Sequence, residues 1–117
     1  MAYIEGFVIP VPTADKQAFI DFAYKFDTIF KEHGASRILE CWEEDVAEGT
    51  LTDFRKSVQA KPDESIVFSW IEWPDKQTRD AAMEILTKDP RFDPEVNPMP
   101  FDGKRMIFGG FLPVVEI

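Results

Sequence analysis

Apolar residues recur along this chain with two different periods, and the two periods predict two kinds of element. Short stretches in which apolar, β-branched and aromatic residues alternate or run together are typical of strands. Four stretches have this pattern: residues 3–9, 36–46, 65–73 and about 104–115. Stretches in which apolar residues recur every three or four positions indicate amphipathic helices. Two stretches have this second pattern: residues 14–32 and 75–88.

Glycine, proline and small polar residues mark where the elements end. Gly34 is the kind of residue that a left-handed helix stop requires. Thr52 is predicted to cap a short helix over residues 52–59. The adjacent Gly109 and Gly110 predict a bulge or a close backbone approach in the last strand. Residues 89–103 contain four prolines, so this segment is predicted to be irregular and stiff.

The order of the elements predicts the fold. Strand, helix, strand, short helix, strand, helix, strand gives two β-α-β halves, and hence an α+β ferredoxin-like sandwich formed by one domain over residues 1–117. Its four-stranded antiparallel sheet carries the two long helices on one face. Residues 65–73 are apolar on both sides, which favours a central strand. The second face needs a cover, and a second copy of the chain supplies the simplest one, so a homodimer is predicted.

The composition excludes several classes of function. The 117 residues carry 22 acids and 13 bases, a net charge of -9, so binding to nucleic acid or to an anionic membrane surface is not expected. With one His and one Cys, neither a metal site nor another cofactor is predicted. The lone Cys41, together with the lack of a leader-type or bilayer-spanning apolar run, predicts a cytoplasmic protein.

Several short motifs resemble those of a known family. They are GFVIPVP (6–12), HGA (33–35), ECW (40–42), TDF (52–54), FSW (68–70), DPR (89–91) and MPFDGKRMIFGGF (99–111). Together they are similar to the YbaA-like family of small bacterial proteins, domain of unknown function 1428. The resemblance covers nearly the whole chain and implies a dimeric α+β barrel, in which two ferredoxin-like protomers pair their sheets. Members of that superfamily include cofactor-free monooxygenases, haem-degrading enzymes, muconolactone isomerases and ligand-sensing domains, so the resemblance implies a fold rather than one reaction.

Three polar residues are candidates for catalysis: His33, Asp102 and Arg105. His33 lies in the last turn of the first long helix, where it either interacts with free carbonyl groups or acts as a general base at a pocket rim. Asp102 belongs to an Asp-Gly turn that leads into the last strand. Arg105 either pairs with an acid, such as Glu40 or Glu72, or clamps a carboxylate or phenolate ligand.

Other residues are candidates for binding a ligand. Glu40 shares a strand face with Trp42, so it is either a solvated acid or, if that face is covered, a carboxylate that needs a partner or has a raised pKa. Trp42 and Trp70 either line a pocket or pack in the core or the dimer interface. Gly109 and Gly110, with a glycine of the first strand, leave room for a pocket beside the aromatic helix. Cys41 is predicted to be a buried structural thiol rather than a nucleophile.

Three functions are compatible with these patterns. The first is a cofactor-free monooxygenase- or isomerase-like enzyme, acting on an apolar oxygen-bearing or anionic organic molecule in a pocket between the sheet and the helices. The second is a non-catalytic ligand-binding or stress-response module with the same pocket. The third is a purely structural dimerisation protein. A pocket within the protomer separates the first two from the third, and turnover separates the first from the second.

Overall fold

A computed structural model describes residues 1–117 as four strands and three α-helices. The strands are β1 (Tyr3–Pro12), β2 (Arg37–Trp42), β3 (Glu64–Trp73) and β4 (Ile107–Phe111). The α-helices are α1 (Lys16–Glu32), α2 (Phe54–Ser57) and α3 (Lys76–Leu86), with short 3-10 helices at Thr13–Asp15 and Pro90–Phe92. No helix combines the length and the apolar character that crossing a bilayer requires.

The strands form one antiparallel sheet in the order β2-β3-β1-β4. This order, with α1 and α3 packed on one side, is the predicted ferredoxin-like sandwich, so the prediction of the fold class is confirmed. β3 lies inside the sheet between β2 and β1, as its two-sided apolar character predicted.

The register of the strands separates the side chains into two faces, because directly paired residues of antiparallel strands point to the same side. One side lies under α1 and α3 and is called the helix-covered face. It includes Glu5, Phe7, Ile38, Glu40, Trp42, Ser69 and Ile71. The opposite side is called the open face. It includes Ile4, Gly6, Leu39, Cys41, Phe68, Trp70, Ile107, Gly109 and Phe111.

Helix α1 packs on the sheet through an apolar stripe and ends at a glycine. Its buried residues are Phe19, Ala23, Phe26 and Ile29, three or four positions apart. Gly34 follows the helix with a φ of 110°, in the left-handed region that favours glycine. The stripe thereby brings one aromatic side of α1 against the helix-covered face.

Three predicted boundaries are wrong. β2 ends at Trp42 because the carboxylate of Glu43, the next residue, turns to accept hydrogen bonds from the backbone N–H of Ile66 and from Arg55 (2.7 and 2.9 Å). The short helix is capped by Asp53 rather than Thr52, through a hydrogen bond from the Lys56 N–H to Asp53 Oδ1.

The third wrong boundary is that of the last strand, which was predicted over about 104–115. β4 covers only Ile107–Phe111 and contains no bulge. Gly109 pairs regularly with Gly6, and Gly110 pairs regularly with Glu5. A Cβ atom at Gly110 would lie 1.7 Å from the Tyr3 hydroxyl oxygen, so this glycine permits the close approach of β4 to the Tyr3 side chain.

Candidate functional site

A cavity of about 300 Å³ lies between α1, the helix-covered face and the segment from Phe92 to Met106. It is called the inner cavity. Twelve of its 17 lining residues are hydrophobic, and no Lys, Arg or His side chain lines it. Its size is at the lower end of the range that small-molecule sites occupy.

The proline-rich segment forms the roof of the inner cavity. Phe92 packs 4.9 Å from Phe26 and Phe101 packs 5.9 Å from Phe22, measured between ring centroids. A hydrogen bond of 2.8 Å from Lys25 Nζ to Asn97 Oδ1 fastens the middle of the segment to α1. The sequence predicted an irregular, stiff segment here but did not predict what it covers.

Two carboxyl groups face each other at the wall of this cavity. Asp27 projects from α1 and Glu40 from β2, and both line the inner cavity. The two groups are close enough for Glu40 to raise the pKa of Asp27, through a hydrogen bond and through its charge. Oε1 of Glu40 is buried and receives no hydrogen bond from an N–H or hydroxyl group. Two neighbouring carboxylates repel each other, so we infer that one of the pair carries a proton.

The electrostatics of the pair favour protonation of Asp27. Burial raises the pKa of Asp27 from its ordinary value of 3.8 to about 9, and the hydrogen bond to Glu40 and the charge of Glu40 add to the shift. Lys31, four residues after Asp27 on α1, uses its ammonium group to donate to the Ser36 carbonyl (2.6 Å). The pair therefore holds one proton and one negative charge beside an apolar space.

A second cavity, of about 510 Å³, lies on the other side of the pair and is called the outer groove. Asp27 and Glu40 line it too, together with Trp42 and two lysines, Lys16 and Lys31. Lys16 Nζ lies 5.4 Å from the centroid of the Trp42 ring. The acid pair therefore stands between an aromatic interior and a groove that carries positive charge.

Sequence reasoning singled out Glu40 but missed Asp27. The alternation of β2 placed Glu40 on the same side as Trp42, and the structure shows that this side is covered. Asp27 continues the four-residue spacing of Phe19 and Ala23 on α1, and a count of apolar positions alone passes over it. An acid at a position of the apolar stripe could have pointed to Asp27, because acids are rarely buried unless they have a partner.

Arg105 and Asp102 form an ion-pair cluster rather than a pocket. Arg105 Nη1 and Nη2 donate to the two carboxylate oxygens of Glu64 at 2.7 and 2.6 Å, and its Nε donates to Asp102 Oδ2 at 3.0 Å. A further bond reaches the Gln59 carbonyl at 3.0 Å. The prediction that Arg105 pairs with an acid is correct, but the acid is Glu64 and not Glu40 or Glu72. Arg105 lies in a turn before β4, so the strand alternation that suggested them does not apply to it.

The structure brings two of the predicted catalytic residues, Asp102 and Arg105, together but leaves His33 far from them. His33 is the half-buried C-cap of α1, three residues before Ser36, whose N–H donates to the Glu72 carbonyl. Arg105 contacts Glu64, at the other end of β3. Glu64 and Glu72 are eight residues apart, about 26 Å at roughly 3.3 Å per residue. His33 and Arg105 therefore occupy opposite ends of the fold, and neither lines the inner cavity.

The predicted ligand-binding residues are divided between the two faces. Glu40 and Trp42 lie on the helix-covered face, where Glu40 lines both cavities and Trp42 lines the outer groove. Trp70 and Gly109 lie on the open face, so the room that glycine leaves there is not beside the aromatic helix. The space beside Gly110 is occupied by the Tyr3 side chain, so it is not part of a pocket.

The described residues contain no converging group of three or more His, Cys, Asp or Glu side chains. The acid pair of Asp27 and Glu40 supplies only two carboxyl groups, and one of them keeps its proton. Cys41 lies half-buried on the open face as a free thiol. What the inner cavity offers chemically is one proton donor and one acceptor in apolar surroundings.

Together these features define a ferredoxin-like α+β protein with an acid pair at the wall of an aromatic cavity. A family profile described as "Protein of unknown function (DUF1428)" matches residues 2–103. The chain is 50% identical over 116 residues to the uncharacterized protein YbaA of Escherichia coli strain K12, covering 99% of each chain. The protein of the same name from Shigella flexneri matches equally well. The chain belongs to the DUF1428 family, which confirms the resemblance seen in its motifs.

A solved structure shares the fold. The crystal structure of a dimeric ferredoxin-like protein from an uncultured marine organism superposes with a TM-score of 0.65. The superposition covers 99% of this chain and 98% of that chain at 15% sequence identity. At this level of identity the likeness shows the fold alone.

The Arg105 cluster predicts a large effect of one substitution on stability. Arg105→Met should lower the free energy of unfolding strongly, because it leaves the Glu64 carboxylate, which is 5% exposed, without its partner. Arg91→Met is the matched control, since Arg91 also binds its acid, Asp89, through two donors but is half exposed. Arg91→Met should change the free energy of unfolding much less, because solvent screens an exposed ion pair. Urea unfolding measures both, and equal losses would contradict a structural role for Arg105.

The acid pair predicts an unusual dependence of stability on pH. Because the pKa of Asp27 is raised in the folded state, the native protein holds a proton that the unfolded chain releases above its ordinary pKa of 3.8. The free energy of unfolding should therefore fall as pH rises from about 4 towards 9. Asp27→Asn keeps a donor for Glu40 but cannot titrate, so this component of the fall should disappear.

The control for this experiment is Asp21→Asn, an exposed position on the same helix. Urea unfolding of both variants and the unsubstituted protein, at several pH values between about 5 and 9, compares the slopes directly. The Asp21 variant should keep the slope of the unsubstituted protein. A slope that is also unchanged in Asp27→Asn would show that Asp27 does not hold the proton.

Proposed function

We propose that this protein binds a small, neutral, apolar molecule that carries a hydroxyl or carbonyl group, and that the inner cavity is the binding site. The observation that supports this most strongly is the pair of Asp27 and Glu40 at the wall of an aromatic space. Glu40 Oε1, which receives no other hydrogen bond, is an acceptor for a ligand hydroxyl. Protonated Asp27 becomes a donor for a ligand oxygen when the ligand replaces Glu40 as its hydrogen-bond partner. The aromatic walls supply the apolar contact area that such a ligand needs.

The charge of the site narrows the class of ligand. No basic side chain lines the inner cavity, and the acid pair already holds one negative charge there. A carboxylate or phenolate ligand would bring a second negative charge into apolar surroundings, where an unpaired charge is costly. Of the two ligand classes expected from the sequence, the neutral oxygen-bearing class is therefore favoured over the anionic one.

A matched set of three aromatic compounds tests the proposal. β-Naphthol, naphthalene and β-naphthoate have the same ring system but offer a hydroxyl group, no polar group and a carboxylate. Isothermal titration calorimetry should show the tightest binding for β-naphthol. A hydrogen bond to a charged group contributes about 1.5–3 kcal/mol, so naphthalene should bind about tenfold more weakly or worse. β-Naphthoate should bind more weakly than β-naphthol as well.

Glu40→Gln locates the binding site. It should remove most of the advantage of β-naphthol and leave the affinity for naphthalene unchanged, because only the hydroxyl group uses the carboxylate. Glu44→Gln is the control, since Glu44 is exposed on the same acidic stretch. If none of the three compounds binds, or if β-naphthoate binds best, the proposal fails. A purely structural dimerisation protein would give the first of these results.

We also propose that the protein forms a homodimer through the open face. Phe68, Ile107 and Phe111 are 43%, 46% and 61% exposed on this face, beside the half-buried Trp70. So large an apolar surface on one side of a sheet is typical of an interface. The structural neighbour from a marine organism is dimeric, which supports a second copy of this chain as the occupant. We expect such a dimer in the cytoplasm, where the lone Cys41 stays reduced.

Sedimentation equilibrium tests the dimer. The protein should sediment with twice the mass of one chain, because an interface of this type buries on the order of 2,000 Å² or more. Phe111→Glu places a charge on the open face and should shift the equilibrium to the monomer. Ile85→Glu, at a position 57% exposed on α3, should leave the dimer intact. A well-folded unsubstituted protein with the mass of one chain would contradict this proposal.

A further inference from the structure

The acid pair places a proton donor and a proton acceptor side by side, which is more than binding a ligand requires. We propose that Asp27 and Glu40 are a catalytic acid and base that isomerise small enolisable carbonyl compounds by moving a proton from one carbon atom to another. This inference rests on the proposed function, because the substrate must occupy the inner cavity. It goes further by assigning a reaction and a chemical role to each of the two residues.

The geometry gives the two carboxyl groups complementary roles. They come from different elements, α1 and β2, and meet at one wall, so a substrate in the inner cavity faces both at once. Asp27 holds the proton and Glu40 has a buried oxygen that no N–H or hydroxyl group satisfies. A general acid and a general base thus lie within reach of adjacent atoms of one small molecule.

The first step forms an enol. The Glu40 carboxylate takes a proton from the carbon next to the carbonyl group, so that a C–H bond breaks and an O–H bond forms on Glu40. The electron pair of the C–H bond becomes a C=C π bond. The carbonyl π pair moves onto the oxygen, which takes the proton of Asp27 and leaves Asp27 as the carboxylate.

The second step returns both residues to their starting states. Glu40 delivers its proton to a carbon of the π system, at the other end of a conjugated chain where the substrate has one. The enol oxygen gives its proton back to Asp27 as the carbonyl group reforms. Protons and electrons balance within the substrate and the two residues, so the reaction needs no oxidant or reductant.

The pair also keeps the charge of the cavity constant throughout the reaction. Before the first step Glu40 carries the negative charge, and after it Asp27 carries the charge, so the total stays at one. The apolar walls therefore never have to hold a second charge, which would be costly in surroundings without a basic residue. A pair of adjacent acids sharing one proton suits this exchange better than two separated acids would.

The aromatic lining supports the same class of substrate. Phe22 and Phe26, with ring centroids 4.5 Å apart, face the inner cavity beside Asp27. Flat or cyclic molecules pack well against such rings. Small cyclic ketones therefore match the size, the polarity and the walls of the site.

The test uses β-tetralone, a small two-ring ketone whose carbon between the ring and the carbonyl group exchanges its protons through the enol. The protein is incubated with β-tetralone in heavy water, and proton NMR follows the incorporation of deuterium at that carbon. Exchange should be faster with the protein than in buffer. Glu40→Gln removes the base and should slow the catalysed exchange by about 100-fold or more, which is the usual contribution of a general base.

Asp27→Asn tests the acid separately, because it keeps the shape of the pair and removes the transferable proton. It should also slow exchange, whereas Asp21→Asn on the exposed side of α1 should not. Ligand-observed NMR of β-tetralone with each variant shows whether the compound still binds. Slow exchange with binding retained in both variants of the pair is the result expected of an acid and a base, and not of a merely structural pair.

The contrary results have different meanings. If β-tetralone binds but exchange with the unsubstituted protein is no faster than with Glu40→Gln, the catalytic inference is wrong and the proposed binding function stands. The same holds if β-naphthol binds and β-tetralone does not. If neither compound binds, the proposed function and the catalytic inference fall together.

Discussion

One proton held between Asp27 and Glu40 allows two carboxyl groups to lie side by side against an aromatic cavity. Without that proton the cavity wall would carry two neighbouring negative charges, and the only basic residues near the pair line the outer groove and not the inner cavity. With it, the pair becomes a donor and an acceptor with a single charge. The packing of α1 on β2, and the chemistry available to a ligand, both depend on this shared proton.

The rest of the fold supplies what the pair needs. The apolar stripe of α1 fixes the helix on the sheet and so sets the position of Asp27 relative to β2. The proline-rich segment covers the cavity through Phe92 and Phe101, and the contacts of Arg105 with Glu64 anchor the turn that follows this segment. The sequence suggested Arg105 as a ligand clamp. In the structure it acts on the site indirectly, by holding the turn that connects the proline-rich segment to β4.

The sequence predicted local elements well because the local pattern determines them. Alternation along β2 placed Glu40 and Trp42 on one side, and helical spacing found the packed side of α1. The same reasoning failed where a partner is distant in the chain. Glu64 lies 41 positions before Arg105, and the turn that brings them together has no periodicity from which to predict it. Asp27 was missed because an acid among apolar stripe residues makes sense only once Glu40 is seen opposite to it.

The central claim is that Asp27 is protonated near neutral pH, and a titration of its side-chain carboxyl carbon by NMR measures this directly. Comparison of the unsubstituted protein with Asp27→Asn identifies the resonance. The account predicts that this carbon has the chemical shift of a protonated carboxyl group at neutral pH and titrates only towards pH 9. A titration near the ordinary pKa of 3.8 would contradict it, because Asp27 would then carry no proton at neutral pH.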